Sequence, residues 1–515
     1  MRDDKTVIYG HGKQGCSQGA HVGKRIIGTL VIVAIVLAAA PPLFGIVYEN
    51  QVREQIASAP EVSYMTFELA DYRRGFYSSQ GQLRFALSDE YIEQMRSAID
   101  TNDPANPQTP EQQAMLDNLL EFMSAELLFD IDVQHGPVMT ADGISMGLAT
   151  VHSEIDSTAG KLAEIQQQLG VPYLFQVDAQ VDFDGSFDFQ AEIPPIANND
   201  PDYRFDFSGL NYTGHFDRPD SRVTARGGTD QFLFKMDSAQ IAVADIGITM
   251  DSRMLSSSLW LGKTSMDVGE VHLRNPDSAN ESFDLRGLGF DADVGLNDTA
   301  DKLAIAFVYR IADVSGVPDS DISDLRVGMR LRDIDREAIE DYLLVAQQLG
   351  FADPDAMEKL LPELQTIGTK ILRGSPGVDL NPFEFVLNGE PFTANIGIDF
   401  DGTVLPADID IINLIGDPGV LIEALSGAGQ IASSESLART LAINILRGQI
   451  AQGVPPDAEI SAADIEAAAT QQAAMMIDGM IQQGLIQRKN DQLNMDISYA
   501  DGQLFVNNVP VPLGQ

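Results

Sequence analysis

The sequence predicts an α+β fold: an N-terminal transmembrane helix, then an elongated, mainly antiparallel β-rich body with further helices concentrated in the C-terminal half. Three observations carry this expectation. Residues 26–48 read IIGTLVIVAIVLAAAPPLFGIVY and hold no charged side chain. Beyond Pro60, apolar and polar residues alternate, and Asn-Gly or Asp-Gly pairs interrupt the alternation. Beyond Asp335 the apolar spacing lengthens to that of helices.

At about 1.5 Å rise per residue, a helix over residues 26–48 covers roughly 30 Å, enough to cross a hydrocarbon core. Residues 1–25 form a short tail in which Arg2, Lys5, Lys13, Lys24 and Arg25 outweigh Asp3 and Asp4, a balance of +3. The whole chain carries −43, which leaves −46 for the rest. Basic flanks stay on the cytoplasmic side, so the tail is expected inside and the body, residues 49–515, outside. The rival reading is a cleaved leader, because Ala38 and Ala40 form an A-x-A site. Pro41 would then follow the cut and oppose an extended fit to a peptidase, and the apolar run continues through Val47. An uncleaved anchor is the expectation.

The body is large enough for one long domain or two to three ordinary ones, with sub-boundaries expected near 191–204 and 315–335. A hydrophobic fraction of 44% is that of a packed protein. The single cysteine, Cys16, lies before the span, so the body has no disulfide and no thiolate chemistry. That fits a bacterial periplasm. The charge of −46 excludes a nucleic-acid role, because phosphates would be repelled, and disfavours broad docking on anionic headgroups. Dense carboxylates fit salty surroundings, where screening tolerates them, or an acidic surface for a basic partner.

Period-two alternation puts one strand face in a core and the other in water. It appears at Leu83–Leu87, at Val177–Phe183 with Asp184-Gly185 leading into Phe187 and Phe189, and at Leu325–Leu331. It recurs at Phe383–Leu387, where Asn388-Gly389 leads into Phe392–Phe400, and at Leu493–Tyr499, where Asp501-Gly502 leads into Leu504 and Val506. These dipeptides favour two-residue hairpin turns, whose central residues need positive φ. Helical spacing marks Pro110–Glu126, Asp335–Leu349, Asp353–Leu372, Ser436–Gln449 and Ser461–Gln483, most of them beginning near a capping Asp or Ser. Met475, Met476 and Met480 in the last read as core packing. The stretches TNDPANPQTP and IPPIANNDPD read as loops.

Motifs that carry chemistry are weak. Gly143-Ile144-Ser145-Met146-Gly147 matches the G-x-S-x-G elbow of serine hydrolases, but a turn precedes it where a buried strand is needed. His152 follows too closely to serve as an obvious triad member, and His215 and His272 lack supporting context. Asp182-x-Asp184-Gly185 and Asp399-x-Asp401-Gly402 echo half of a calcium loop without its third acid or closing Glu; hairpin turns explain them better. No His-x-x-x-His pair suits zinc, and neither a phosphate loop nor a dinucleotide fingerprint is present. No catalytic residue, cofactor or metal is expected.

One resemblance spans most of the chain. DYRRGFYSSQGQLRFAL at 71–87 resembles the first strand motif of the YdgA-like bacterial proteins, a family of unknown function. Tyr72, Arg74, Gly75, Ser78 and Ser79 match its Y-x-R-G-x-F-S-S, and Tyr77 stands where Phe is usual. His135-Gly136-Pro137 is similar to a second signature, and SSSLWLGKTSMDVGEVHL, with Trp260 and Gly262, to a third. MDISYADGQLFVNNVPV resembles the closing hairpin. The resemblance implies a single-pass inner-membrane anchor, a periplasmic β-rich body and no enzyme activity. The motif residues themselves read as structural: Arg74-Gly75 as a bulge with the Arg paired to a carboxylate, His135 at a strand end, and Trp260 as a core or rim anchor.

The expected function is therefore non-enzymatic binding or scaffolding in the cell envelope, with the inner membrane as a partner through residues 26–48. The alternative is a carrier of lipid or another hydrophobic ligand in an apolar β groove, and a serine hydrolase is a distant third. A lipid or an envelope protein is the expected partner; the oligomeric state is left open.

Overall fold

The computed structural model describes residues 41, 46, 65–88, 91–93, 96, 127–140, 144–155, 160–199, 203–236, 239–275, 282–317, 320–348, 354–406, 418–453, 461–489 and 492–512. The expected anchor, positions 41 and 46 apart, and the helix expected over Pro110–Glu126 lie outside the described residues. Among the described residues no helix is long and apolar enough to cross a membrane.

Among the described residues the body is one antiparallel sheet of 22 strands. Strands β1 (Met65–Arg74), β2 (Ser78–Leu87) and β3 (Leu127–His135) pair in sequence, and a small separate hairpin of β4 (Val138–Met139) and β5 (Ser145–Met146) follows. The main sheet resumes with β6 (Ala149–Ile155), β7 (Gln176–Val181) and β8 (Phe187–Ile193). β9 (Ile196–Asn199) and β10 (Tyr203–Phe207) form a side hairpin whose second strand pairs with the far part of β12. β11 (Leu210–Asp217) joins β8 to β12 (Arg222–Met236).

Five long strands then meander: β13 (Ala239–Met254), β14 (Trp260–Arg274), β15 (Phe283–Leu296), β16 (Lys302–Ser315) and β17 (Ile322–Asp335). β18 (Gly377–Leu387), β19 (Glu390–Phe400) and β20 (Leu425–Ser434) continue the ladder. β21 (Gln487–Lys489), β22 (Gln492–Ala500), β23 (Gln503–Val506) and β24 (Val509–Val511) close it.

Six α-helices are described, five of them after residue 335, where four were expected; α1 (Gly160–Leu169) and the short helix over Pro418–Ala424 were not. α2 (Arg336–Gln348), α3 (Pro354–Arg373), α4 (Pro418–Ala424), α5 (Glu435–Gly453) and α6 (Ala462–Gln482) follow. Their starts obey local chemistry. The Ala338 amide donates to Asp335 Oδ1, the Leu437 amide to Ser434 Oγ and the Asp464 amide to Ser461 Oγ, so side chains satisfy amides that a helix leaves orphaned. The α5–α6 pair buries Ala469, Ala473 and Ile477, spaced four apart, against Leu446 and strand residue Leu493. Met480 joins that core, but Met475 and Met476 are exposed. The expected core role therefore holds for Met480 alone of the three.

Asn388-Gly389 and Asp501-Gly502 each carry two positive φ values, as predicted. Two Asp-Gly pairs differ. At Asp184-Gly185 only Gly185 is left-handed, and its amide donates to Asp182 O, which makes a type I turn closed by a glycine bulge. At Asp401-Gly402 there is no hairpin: Asp401 caps a 3-10 turn over Gly402–Val404. Gly402 is required there because a Cβ would lie 2.3 Å from Leu372 O. The stretch IPPIANNDPD, read as a loop, contains strand β9.

A line of kinks crosses the long strands. Asp245, Gly269, Gly287, Ala312 and Asp324, one from each of five consecutive strands, are skipped in the pairing. Asp245, Gly287 and Asp324 have φ of 55°, 59° and 53°. One extra residue in each strand slips the alternation by one. In β13 the apolar positions are Ile241 and Val243 before the kink and Ile246, Ile248 and Met250 after it. The apolar residues therefore stay on one face, because the partner strands slip together.

Candidate functional site

The first two sequence signatures meet in space. Ser79 in β2 and His135 at the end of β3 are each only 1% exposed, and Ser79 Oγ lies 2.7 Å from His135 Nε2. The His135 amide donates to Tyr77 O at 2.8 Å. Burial pushes the imidazole below its usual 6.5 and the Arg74 charge adds to this, while the Phe76 backbone opposes it. His135 Nδ1 is buried without a hydrogen-bond partner of normal geometry. A serine beside a histidine resembles a nucleophile and base, but here the pair is sealed from solvent and holds the β1–β2 turn to β3.

Glycines set the same region. A Cβ on Gly136 would lie 1.8 Å from Gly147 O, and one on Gly75 would lie 2.7 Å from Ser78 O. The Gly136 amide donates to Leu148 O, and the Leu148 amide to Val181 O, so the segment that starts with Gly136-Pro137 is pressed against the strand ends. The expected bulge at Arg74-Gly75 lies elsewhere. The β1–β2 register shifts between Ala70 and Arg73, with Asp71 at φ 48°, while Arg74 pairs with Ser79 in the ladder. Gly75 begins the connection. Tyr72 lies over Gly81, where a Cβ would meet its ring at 2.8 Å. Ser78 pairs with Gln134 in the ladder.

Two tips project from this base. Phe76 and Tyr77 pack edge to face at 4.7 Å yet are 52% and 58% exposed. The β4–β5 hairpin exposes Val138, Met146 and above all Ile144, 87% exposed, while its Met139 is fully buried as an anchor. Ser145 of the G-x-S-x-G match sits in that hairpin, followed by strand β6. The strand–turn–helix geometry of a nucleophile elbow is absent there.

Trp260 and Gly262 are not part of this cluster. They lie in β14, seven strands away from β3 in the pairing order, or roughly 34 Å at about 4.8 Å per strand. Trp260 is exposed at the rim opposite Met254, and Gly262, at φ 138°, leaves no room for a Cβ beside Asp251 O.

The wet face carries a cavity of about 1020 Å³ across β3 to β13. Cross-strand neighbours pair there as His152 Nδ1 with Asp178 Oδ1 at 2.6 Å and His215 Nδ1 with Asp188 Oδ1 at 2.8 Å. Arg222 grips Asp251 at 2.6 and 2.7 Å, which holds that carboxyl below its usual range. These histidines looked scattered in the sequence. Only the register sets each opposite an aspartate. Among the described residues no group of three or more metal-ligating side chains is assembled.

The opposite face is mainly apolar, with Ser153, Ser252 and Thr264 as small polar side chains within its rows. One ladder row runs through Ile131, Val177, Tyr212, Ile248, Met266, Phe290, Tyr309, Val327, Phe383 and Met495, each registered to the next through the intervening strands. A second row passes through Val133, Phe189, Met250, Phe307, Met329 and Ile396, and a third through Phe187, Val294, Ile305, Leu331, Val378 and Ile398. The strip spans 15 strands, roughly 65 Å, and its outer rows lie about 14 Å apart. α2 and α3 pack beside its third row at Val294, Ile305 and Leu331, and α5 and α6 cover its end at Leu493 and Met495. The first and second rows between β7 and β16 belong to no helix-covered cluster among the described residues. Their side chains are half-buried by one another, and Tyr309, Met329 and Met266 are exposed.

The model of a bacterial family of unknown function (DUF945) matches residues 24–514. No curated protein and no solved structure matches the chain.

Proposed function

The chain belongs to DUF945, a bacterial family of unknown function, and from its geometry we propose that it is a non-enzymatic, membrane-tethered binder of lipid or a similar hydrophobic ligand. The observation that carries this reading is the strip of three apolar rows, each broken by one small polar side chain (Ser153, Thr264 or Ser252) and left open in its middle. Soluble proteins rarely leave a contiguous apolar patch of more than a few hundred Å² uncovered. The open part, roughly 34 Å from β7 to β16, reaches that size and is close to the thickness of a bilayer core. Acyl chains suit such a surface, because it offers area and few hydrogen-bond partners.

Residues 26–48 act in this reading as an inner-membrane anchor that keeps the strip beside a lipid source, with the body in the periplasm. The narrower YdgA-like assignment rests on the order of Arg74-Gly75, His135-Gly136-Pro137 and Trp260. The absence of enzyme activity is part of the same proposal. It is supported by the sealing of Ser79 and His135 and by the hairpin setting of Ser145.

Photo-crosslinking tests the reading. Benzoylphenylalanine placed at Tyr309 or Met329 in the full chain, activated in cells and read by mass spectrometry, is expected to give lipid adducts. The same probe at Lys263, on the wet face, gives none. Equal labelling on both faces, or adducts to protein alone, would overturn the proposal.

A further inference from the structure

We propose that the two tips, Phe76-Tyr77 and the β4–β5 hairpin, form a second membrane contact: they dock on the bilayer in which residues 26–48 are anchored. This goes beyond the lipid-binding reading, and it rests on the anchor part of that reading. The tips are neighbours, because Tyr77 O accepts from the His135 amide one residue before Gly136-Pro137 and the hairpin. They expose Phe76, Tyr77, Val138, Ile144 and Met146. Aromatic and aliphatic side chains of this kind suit the headgroup boundary.

Their charge is also unlike the rest of the chain. In a protein of −43, the tip sequences 73–78 and 134–148 hold Arg73 and Arg74 against Asp142, a balance of +1. Net positive charge beside apolar tips fits anionic headgroups, although the body as a whole would be repelled by them.

The base is stiff. Met139, Ser79, His135 and Leu148 are buried beneath the tips. Exposed side chains held on a preorganised base lose little freedom on insertion. Five such side chains bind weakly alone, but a tether raises the effective concentration of the membrane they face. The reach suffices: β1 places the tips roughly 34 Å from Met65, and the 16 residues 49–64 can span roughly 55 Å when extended.

The test uses the full chain in Cys16→Ser background, reconstituted into phosphatidylethanolamine–phosphatidylglycerol vesicles. An environment-sensitive dye is attached at Ile144→Cys, or at Met236→Cys as a control on the opposite strand end. Flotation first reports whether the chain is held by the vesicles. Nitroxide lipids in the host vesicles are expected to quench the Ile144→Cys dye several-fold more than the Met236→Cys dye, and Phe76→Ser is expected to reduce that quenching. Flotation without quenching overturns the tip contact and leaves the anchor standing. Failure to float overturns both. Quenching only by nitroxide lipids in separate protein-free vesicles overturns docking on the anchoring bilayer.

Discussion

Ser79 Oγ and His135 Nε2 lie 2.7 Å apart, and both residues are 1% exposed. One buried polar contact thus joins two sequence signatures separated by 56 positions. A buried hydrogen bond contributes modestly when made, but a buried polar atom left without its partner costs about 1–3 kcal/mol. Ser79→Ala strands His135 Nε2 in this way. Urea unfolding should show a loss of about 1–3 kcal/mol, with an unchanged slope against denaturant. The double variant Ser79→Ala/His135→Phe should be clearly less destabilised than the sum of the two single changes, because no polar group is then left stranded. Strict additivity would mean that the two side chains do not pair in solution.

The same histidine sets a pH dependence, and His272 sets one of opposite sign. Burial lowers the folded pKa of His135 below 6.5, so just below pH 6.5 the unfolded chain binds more protons than the folded one. Its contribution is intact above 6.5 and is lost as pH falls through 6.5 toward the lowered value. His272 is raised, first by its hydrogen bond to Asp284 and also by Glu270. Its contribution is full below 6.5 and is lost as pH rises through the raised value. Chemical denaturation between about pH 5.5 and 7.5 separates them. His135→Asn should flatten the acid side of the stability profile, and His272→Asn the other side.

Much of the sheet was legible in the sequence, because period two is enforced wherever one face is covered or crowded. Phe383–Leu387 with Asn388-Gly389 and Phe392–Phe400 became β18, its turn and β19. The helix starts at Asp335 and Ser461 were legible for the same local reason, an amide seeking an oxygen, whereas the third cap is Ser434, two residues before the expected Ser436. What escaped was long-range. The alternation in β13 changes phase at Asp245, and nothing in the local pattern says that Gly269, Gly287, Ala312 and Asp324 change phase beside it. The His152–Asp178 and His215–Asp188 pairs depend on register between strands, which the spacing of residues along one strand does not encode. The Ser79–His135 contact was half legible. Both residues stood in signatures, but their meeting depends on β2 pairing with β3 across 39 intervening residues.

Gly136 allows a sharper test of the packed base. An added Cβ there would sit 1.8 Å from Gly147 O and 3.0 Å from Leu148 O, both backbone atoms. Backbone cannot rotate aside, so Gly136→Ala must move the segment that carries the β4–β5 hairpin. The variant should unfold at markedly lower urea, a loss of about 2 kcal/mol or more. Gly247, also in the sheet, is open: a Cβ added there would meet no atom within 4 Å. Gly247→Ala should be neutral or slightly stabilising, because alanine reduces unfolded-state entropy. Equal effects at both sites would remove the steric account of Gly136.

The apolar strip makes a prediction that separates binding from stability. Tyr309 and Met329 face the same side from adjacent strands and remain exposed. Large apolar residues left open in a sheet add little to folding, since little of their surface leaves water, so Tyr309→Ser and Met329→Ser should each change stability by less than about 1 kcal/mol. Their cost falls on a ligand that would cover them. Detergent-extracted protein carrying both changes should retain several-fold less co-purified lipid by native mass spectrometry than the unaltered chain, with no change in melting temperature. A matched pair on the wet face, Thr249→Ala and Ser265→Ala, interrupts no apolar row, because Thr249 is registered to Ser265 on the polar side. That pair should retain lipid in full. Equal loss from both pairs would mean that lipid associates with the body at large and that the three rows are only the crowded inner face of a curved sheet.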